Sequence, residues 1–479
     1  MPKPVKIKTE RRTDTAAAIP TKQFFVSMLT RDISLADAIL DLIDNCLDGA
    51  LRIAGKKIPT YSKHTIKIEL SGDEFAIEDD CGGIPREIAI KYAFKMGREP
   101  DDNRDADAET IGMYGVGMKR AIFKMGRDSL VRTLFDGDAF EVPIPSAWLD
   151  NKDWKPLPIK DSSAETRLKK PGTRIEVRTL HGSVSRHFQN DGFINELRLA
   201  IGEHFTVFIQ RGLKILVNGE DTKAVLVEVL VTPDGEGPAP FVFTKRIDGV
   251  DVSIAVGLNT GRGVSDDDEE EDTADFERNR STVTAGWTVF CNDRAVIVGD
   301  KSRLTGWGDS IPLYHYQFSV ITGIFEFRSA SADKLPVTTT KRALDTASNV
   351  WLETVTKMKE GLRVWINHTN AWKNYTKSDQ AEYWESAKPM SLHEAVKTVL
   401  KRGVTEKLDG SREYNPAKKK VLPQPPNKTP SARRIAFTKP IEEIREVSKT
   451  LFDREDEKPG IVGEKCFEYV LNRSRKRGA

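Results

Sequence analysis

The chain has 479 residues, and its 74 Lys and Arg nearly balance its 72 Asp and Glu, leaving a net charge of +2. This length predicts two large domains with additional segments rather than one core. No apolar run reaches the roughly 18 residues of a membrane-spanning helix, so no membrane partner is expected. Cys46, Cys81, Cys291 and Cys466 stand far apart without metal-ligand spacing. They predict reduced thiols and a cytoplasmic protein, or a nuclear one in a eukaryote.

Residues 1–20 are basic but lack the apolar segment of a secretory signal, and we expect a flexible arm there. The first strong element is a helix predicted over Ser34–Leu51, with Ser34 as its N-cap. One stripe of this helix carries Asp37, Asp41, Asp44, Asn45 and Asp48. Oxygen ligands of this kind suit Mg²⁺ and a water molecule to be activated. A solubilising face on an amphipathic helix explains the same pattern equally well.

Two strands are predicted next, at Thr65–Leu70 and Glu74–Glu78, and the second ends in an Asp-Asp-Cys-Gly-Gly-Ile-Pro turn at 79–85. A carboxylate at a strand end can accept a hydrogen bond from an exocyclic amine. A plain glycine-rich turn is the simpler explanation of this segment alone.

A polar stretch, Glu99–Glu109, predicts a mobile loop that leads to glycines 112, 115 and 117 and then directly to a helix. Backbone N–H groups at such a helix N-terminus can bind an anion, and Lys119 adds a positive charge. The segment matches neither the Walker motif nor the dinucleotide-binding fingerprint.

The order of these three motifs, followed by Pro171-Gly172-Thr173-Arg174-Ile175, resembles the GHKL ATPases, the superfamily of gyrase B, MutL, the large heat-shock chaperones and histidine kinases. The run IGMYGVGMKRAIFKMGRDSLV, residues 111–131, is most similar to the MORC-like branch. The resemblance implies an α+β fold: an N-terminal Bergerat-fold ATPase sandwich of helices on a mixed sheet. An α/β transducer domain of ribosomal-protein-like type and a helical C-terminal region would follow it.

The resemblance also implies ATP and Mg²⁺ as ligands and ATP hydrolysis as the activity. Asp41 would be the general base and Asn45 the Mg²⁺ ligand. Asp79 would bind the adenine amine with support from Thr173, and Gly83 would let the backbone pass close to the base. The other implied nucleotide contacts are Asp48, Ile84, Met96, Gly112, Tyr114, Gly115, Val116, Gly117 and Lys119.

Two positions depart from the pattern of the family. Asp41 stands where the family usually has Glu and is one methylene shorter, which predicts slow hydrolysis or a second bridging water. Cys81 stands where the second motif normally has a glycine, so Asp80 is an alternative to Asp79. The Gly83-Ile84-Pro85 sequence favours Asp79.

The second half reads as a helix followed by strands. A helix is predicted at Phe193–Glu203, and strands at Val207–Val217, Ala224–Val231, Phe241–Arg246 and Val250–Leu258. The acidic run at 265–272 predicts a solvated insertion. Residues 286–297 predict two strands around an Asn292-Asp293 turn, and they resemble the transducer hairpin of MORC-like and gyrase-like proteins.

A polar loop at 335–342 precedes a helix predicted over Ala343–Asn367. In the family that the chain resembles, a transducer loop at this point delivers one lysine to the γ-phosphate, which implies Lys341, with Arg342 as runner-up. A cation beside a phosphoryl group stabilises developing charge. A solvated basic pair at a helix start is the other interpretation.

Further helices are predicted at Leu392–Lys401, Ile441–Asp453 and Val462–Lys476, and the Pro- and Lys-rich stretch Asn415–Arg434 predicts an extended linker. The basic linker and tail suit electrostatic contact with DNA, although a solvated tail explains them as well. The predicted ranges are an arm at 1–20, an ATP-binding domain at 21–182, a transducer domain at 183–350, a helical region at 351–405, a linker at 406–440 and a basic helical tail at 441–479.

The resemblance therefore implies a GHKL-type ATPase that closes a lid over ATP and Mg²⁺ and dimerises as a clamp, on DNA or in a DNA-associated complex. A protein partner encoded nearby is a further expectation. The alternative is a nucleotide-gated scaffold or chaperone-like protein with little or no hydrolysis. A histidine kinase is disfavoured because no phospho-acceptor histidine helix precedes the ATPase motifs. A nuclease is disfavoured because no second acidic metal cluster is visible.

Overall fold

The computed structural model describes residues 21–54, 60–98, 109–112, 115–233, 237–259, 285–338, 341–373, 375, 383–425, 435 and 437–477. The predicted arm at 1–20, the acidic run at 265–272 and Tyr114 lie outside the described residues, as does most of the predicted mobile loop at 99–109.

Eight strands form the first sheet. They are β1 (Thr65–Leu70), β2 (Glu74–Asp79), β3 (Gly126–Phe135), β4 (Asp138–Ile144), β5 (Lys160–Asp161), β6 (Gly172–Leu180), β7 (Lys214–Val217) and β8 (Glu220–Asp221). Their order is β5-β4-β3-β6-β2-β1-β7-β8. The β1–β7 pair is parallel and the other pairs are antiparallel, so the sheet is mixed, as predicted.

Helices cover one face of this sheet. They are α1 (Lys22–Arg31), α2 (Leu35–Ala54), α3 (Arg86–Ile88, continued by a π-helical turn at Ala89–Ala93), α4 (Gly117–Met125), α5 (Ser146–Asp150), α6 (Gly182–Phe188), α7 (Asp191–His204) and α8 (Thr206–Gln210). The opposite face carries charged pairs instead, such as Arg174 with Glu69 at 3.0 Å and with Glu78 at 3.1 Å. The expected sandwich of helices on a mixed sheet is therefore present.

The helix α2 begins where the sequence predicts, because the Ser34 hydroxyl accepts a hydrogen bond from the Asp37 N–H at 3.1 Å. Its apolar residues pack in the core. Asp41, Asp44 and Asp48 on the other stripe are also buried, with at most 3% of their surface exposed. A solubilising face would be solvated, so that interpretation of the stripe is wrong. Buried carboxylates need partners, and those partners define the site below.

Seven strands form the second sheet, in the order β13-β12-β14-β11-β10-β17-β16. They are β10 (Phe241–Ile247), β11 (Val250–Leu258), β12 (Gly286–Cys291), β13 (Arg294–Asp300), β14 (Ile321–Arg328), β16 (Thr405–Glu406) and β17 (Arg412–Tyr414), while β9 (Val229–Val231) pairs with β15 (Lys388–Met390). The predicted hairpin around Asn292 and Asp293 is present as β12–β13.

Two helices, α9 (Asn349–Ala371) and α10 (Leu392–Leu400), sandwich this second sheet. Val252 and Ile254 of β11 share a core with α9, whereas Ala255 shares another with α10. Since alternate residues of a strand point to opposite faces, the two helices cover opposite sides. All eight residues of β14 are buried for this reason.

Three predicted elements differ in the structure. Residues 207–210 of the predicted strand Val207–Val217 are helical, and only Lys214–Val217 is a strand. The segment 224–228 is not a strand, because Val225 bonds to helical residues instead, donating to the Gly202 carbonyl at 3.0 Å. The long helix begins at Asn349 rather than Ala343, because Ser348 caps it.

The first part of the predicted linker is packed rather than extended. β17 joins the second sheet, and Leu422 is buried in that domain's core. The Trp372 indole N–H donates to the Pro423 carbonyl at 3.1 Å, which holds the chain against the end of α9. The prediction of an extended linker is therefore wrong for residues up to 425, because Leu422 packs into the apolar core of the second sheet domain.

The C-terminal residues form a separate unit with two helices, α11 (Ile441–Phe452) and α12 (Pro459–Arg477), close to the two predicted. Asp453 ends α11 with a φ of 58°, and the Ser448 hydroxyl donates to the Arg454 carbonyl at 2.6 Å across the turn. Among the helices in the described part of the chain, none is long and apolar enough to cross a membrane.

Candidate functional site

A cavity of ≈ 380 Å³ lies between α2, the turn after β2, the start of β6 and the glycine segment before α4. The sequence-predicted residues that line it are Asp41, Asn45, Asp48, Asp79, Gly83, Ile84, Gly112, Gly115, Val116, Gly117, Lys119, Thr173 and Lys341. Met96 does not line the cavity and packs against the first core instead. The fold thus brings together side chains that are up to three hundred positions apart in the sequence.

One end of the cavity is organised around Asp79. Its carboxylate is buried, and one oxygen accepts a hydrogen bond from the Cys81 N–H at 2.8 Å. Burial raises the pKa of Asp79 to about 6, although bonds from the Cys81 backbone, the Cys46 side chain and the Thr173 backbone oppose the rise. A carboxylate in this environment is a strong acceptor for a ligand amine, because little water competes.

Asp80, the alternative, is bound elsewhere. Its carboxylate accepts a hydrogen bond from the Thr65 N–H at 2.6 Å and lies 3.2 Å from the Lys170 amine. It does not line the cavity. The geometry therefore favours Asp79 over Asp80 as the carboxylate that faces the cavity.

Close backbone approaches explain two glycines at this end. Gly83 has a φ of +78°, and a Cβ there would lie 2.3 Å from the Leu134 carbonyl oxygen. A Cβ on Gly172 would lie 1.9 Å from the Asp79 carbonyl oxygen. The Thr133 hydroxyl links the turn after β2 to the start of β6. It accepts a hydrogen bond from the Ile84 N–H at 2.7 Å and donates one to the Gly172 carbonyl at 3.1 Å.

Gly172→Ala is expected to destabilise the protein by about 2 kcal/mol or more, because the new methyl group overlaps the backbone that holds Asp79. Gly182→Ala is the matched control, since a Cβ at Gly182 meets nothing within 4 Å. Thermal unfolding of both variants checks this. Equal melting temperatures for the two would contradict the close packing of β6 against the end of β2.

The glycine segment is held by two of the residues predicted to bind nucleotide. Asp48 accepts hydrogen bonds from the Ile111 and Gly112 N–H groups, both at 2.8 Å. The Lys119 amine donates to the Ala93 carbonyl at 2.9 Å and also to the Gly115 carbonyl. In this conformation both side chains therefore position the segment, and the Gly112 N–H is already bonded.

The other end of the cavity holds the carboxylate of Asp41. It forms a buried ion pair with Arg120 of α4, and the Lys341 amine lies 3.7 Å from its second oxygen. Lys341 also donates to Asp44 at 2.9 Å. Burial lowers the pKa of Lys341, but the nearby carboxylates outweigh it and leave that pKa above its ordinary value. Lys341 is therefore charged, and it reaches the predicted catalytic helix.

Arg120 is a site residue that the sequence reasoning missed. It follows Lys119 directly, the residue is only 6% exposed, and its guanidinium donates to the Asp41 carboxylate. Its position on the first turns of α4 behind the glycines was the available signal. A basic residue on an amphipathic helix gives no indication by itself of whether it faces solvent or a cavity.

Asn45 fits a role as the metal ligand. It lines the cavity beside Asp41, and its buried amide nitrogen has no hydrogen-bond partner within the described residues. That nitrogen is a hydrogen-bond donor, so it calls for an acceptor on a ligand or a water molecule and is not itself a metal ligand. The atom of Asn45 that suits Mg²⁺ is the amide oxygen, because Mg²⁺ prefers oxygen ligands such as amides and carboxylates.

Cys46 and Cys81 also line the cavity. Burial raises the pKa of both thiols well above their ordinary value, so both stay protonated. Nucleophilic chemistry requires a thiolate, and neither cysteine meets that requirement here.

Helices on one face of a mixed sheet, with carboxylates, an amide and a glycine segment around one cavity, are features of an ATP-binding domain. The particular family follows from comparison: a family model described as "Histidine kinase-, DNA gyrase B-, and HSP90-like ATPase" matches residues 33–169. A search of curated proteins finds no match. The match supports the assignment of residues 33–169 to the GHKL superfamily, whose members generally bind and hydrolyse ATP.

Proposed function

We propose that the protein is an ATP-driven conformational switch, in which the second sheet domain responds to ATP held in the cavity of the first. The observation that supports this most strongly is the cavity lining, which unites Asp41, Asn45, Asp79 and Gly117 with Lys341 of the second domain. The base of ATP would lie against Asp79, and its phosphates would lie beside the N-terminus of α4.

Hydrolysis in this proposal depends on Asp41. Its carboxylate accepts the proton of the attacking water, and Arg120 fixes its orientation. Lys341 moves from the carboxylates to the terminal phosphate, where its charge stabilises the charge that develops. Asn45 would hold Mg²⁺, which when bound neutralises the charge of the phosphates.

The finer part of the proposal is a MORC-like clamp: two copies associate when ATP closes the glycine segment, and DNA is the payload. The run at 111–131 supports the MORC-like affiliation. The exposed basic residues Arg473, Arg475 and Lys476 of α12 support contact with a polyanion. A protein partner encoded nearby is a second payload consistent with the same switch.

The clamp is tested by size-exclusion chromatography with light scattering. We expect a dimer with Mg²⁺ and the non-hydrolysable analogue AMP-PNP, and a monomer with ADP. A monomer in both would contradict the clamp. If DNA is the partner, its affinity should fall steeply as salt increases, and Arg473→Glu together with Arg475→Glu should make this salt dependence weaker. No DNA binding at low salt would contradict a role for DNA.

The second candidate is a nucleotide-gated scaffold with little hydrolysis. The ion pair between Asp41 and Arg120 favours it, because that pair occupies one oxygen of a side chain already shorter than glutamate. Wild-type protein that binds ATP and changes its oligomeric state without releasing phosphate would support the scaffold over the ATPase.

A further inference from the structure

Asp44 is a fully buried acidic group beside the cavity. None of its surface is exposed, and each of its oxygens has one cationic partner from the second domain. The Arg294 Nε lies 3.0 Å from one oxygen, and the Lys341 amine lies 2.9 Å from the other. Asp44 itself does not line the cavity, although its neighbours Asp41 and Asn45 do. One carboxylate thus holds two cations of which only Lys341 reaches the ligand space.

The two cations are held in different ways. Arg294 is fixed, because its guanidinium lies 4.5 Å from the Phe205 ring centroid and also donates to the Ala295 carbonyl. Lys341 is held by carboxylates, through its bond to Asp44 and its approach to Asp41. A phosphate group arriving in the cavity can therefore compete for Lys341, whereas Arg294 has contacts that the ligand does not affect.

We propose that Arg294 is a positioning residue for the switch: it keeps Asp44 neutralised while Lys341 leaves Asp44 for the terminal phosphate of ATP. This inference rests on the proposed function. Without Arg294, the departure of Lys341 would leave a fully buried carboxylate with no cation bonded to it, which is strongly unfavourable. Lys341 would then stay on Asp44, and the protein would lose its response to the terminal phosphate.

The turn that carries Arg294 is also tied to the glycine segment. The Asn292 amide donates to the Thr110 carbonyl at 3.2 Å, two residues before Gly112. Asp293 is bound by Arg211 at 2.7 Å and by Arg328 at 2.5 Å, and Arg328 also reaches Glu109 at 2.5 Å. The β12–β13 turn therefore holds Arg294 at a fixed place relative to both α2 and the base of the glycine segment.

The test compares the dissociation constants of Mg-ADP and Mg-AMP-PNP by isothermal titration calorimetry. Their ratio measures what the terminal phosphate adds. We expect the wild type to prefer AMP-PNP by at least about tenfold, and Lys341→Met to lose that preference. Arg294→Met is expected to lose most of it too, with little change in ADP affinity. Arg294→Lys, which keeps a charge beside Asp44, should retain it.

The double variant Asp44→Asn with Arg294→Met separates positioning from a structural role. A neutral amide needs no cation, so Lys341 is released and we expect the AMP-PNP preference to return. Arg211→Met is the matched control, because it breaks another ion pair of the same turn without touching Asp44, and it should keep the preference. If Arg294→Met does not fold, Asp44→Asn is tested alone. We then expect it to prefer AMP-PNP over ADP more strongly than the wild type does.

The inference would be overturned if Arg294→Met preferred AMP-PNP over ADP as strongly as the wild type does. If Arg294→Met does not fold, an Asp44→Asn variant with the same preference as the wild type would overturn it. A double variant with the same melting temperature as Arg294→Met and no greater preference for AMP-PNP would also overturn it. If the wild-type protein binds neither ADP nor AMP-PNP, the proposed function itself is wrong. That outcome is distinct from a failure of the inference about Arg294.

Discussion

Asp41→Asn is expected to lower kcat for ATP hydrolysis by at least about 100-fold, because the amide cannot accept the proton of the attacking water. ATP affinity should change by only a few fold, since the side chain keeps its size and its place beside Arg120. Steady-state phosphate release gives kcat, and calorimetric titration with AMP-PNP gives the affinity.

The control for this variant is Asp128→Asn. Asp128 is a carboxylate of the same domain that bonds to Ser146 and Thr179 and lies outside the cavity. We expect its hydrolysis rate to stay close to the wild-type rate. If Asp41→Asn hydrolyses ATP as fast as the wild type, Asp41 is not the general base. Equal inactivity of wild type and Asp41→Asn, with ATP still bound, would favour the scaffold.

Asp79→Asn is expected to weaken ATP binding by about 10- to 100-fold, the loss that follows when a charged acceptor is removed from the adenine amine. The same variant should be more stable than the wild type without ligand. Asp80→Asn is the matched control, and its ATP affinity should not change because Asp80 bonds to Thr65 and Lys170 instead. A strong effect of Asp80→Asn and none of Asp79→Asn would reverse the assignment.

The gain in stability of Asp79→Asn should depend on pH. The pKa of Asp79 is about 6 in the folded protein and ordinarily 3.8, so between these values the native state binds more protons than the unfolded state. Wild-type stability therefore falls as pH rises through this window, by up to about 3 kcal/mol. Urea unfolding should show the variant more stable at pH 8 and nearly equal to wild type at pH 4. A difference in the free energy of unfolding between variant and wild type that does not change with pH would contradict titration of Asp79 in this range.

Much of the site could be predicted because its residues stand in short motifs. The stripe on α2, the turn after β2 and the glycine segment each contain their own spacing signal, and the structure brings all three to one cavity. Lys341 was different, because its predicted position came from the resemblance and not from its local sequence. Its reach to Asp44, 297 positions earlier, is a property of the tertiary fold.

The missed features are those in which two distant segments meet. The pairing of Arg294 with Asp44 and the close approach of Gly172 to Asp79 leave no local pattern. The segment 207–210 was predicted as a strand because short apolar runs do not distinguish helix from strand. Asp48 and Lys119 were expected to bind nucleotide, and their bonds to the glycine segment depend on how that segment folds back.

The central claim is that ATP with Mg²⁺ occupies the space between α2 and the glycine segment. Hydrogen–deuterium exchange with and without Mg-AMP-PNP tests it most directly, because protection reports where the ligand lies. We expect protection in peptides covering 35–54 and 115–125, and none in α11 and α12. Saturating nucleotide that protects neither peptide, or protects only the second sheet, would contradict the account.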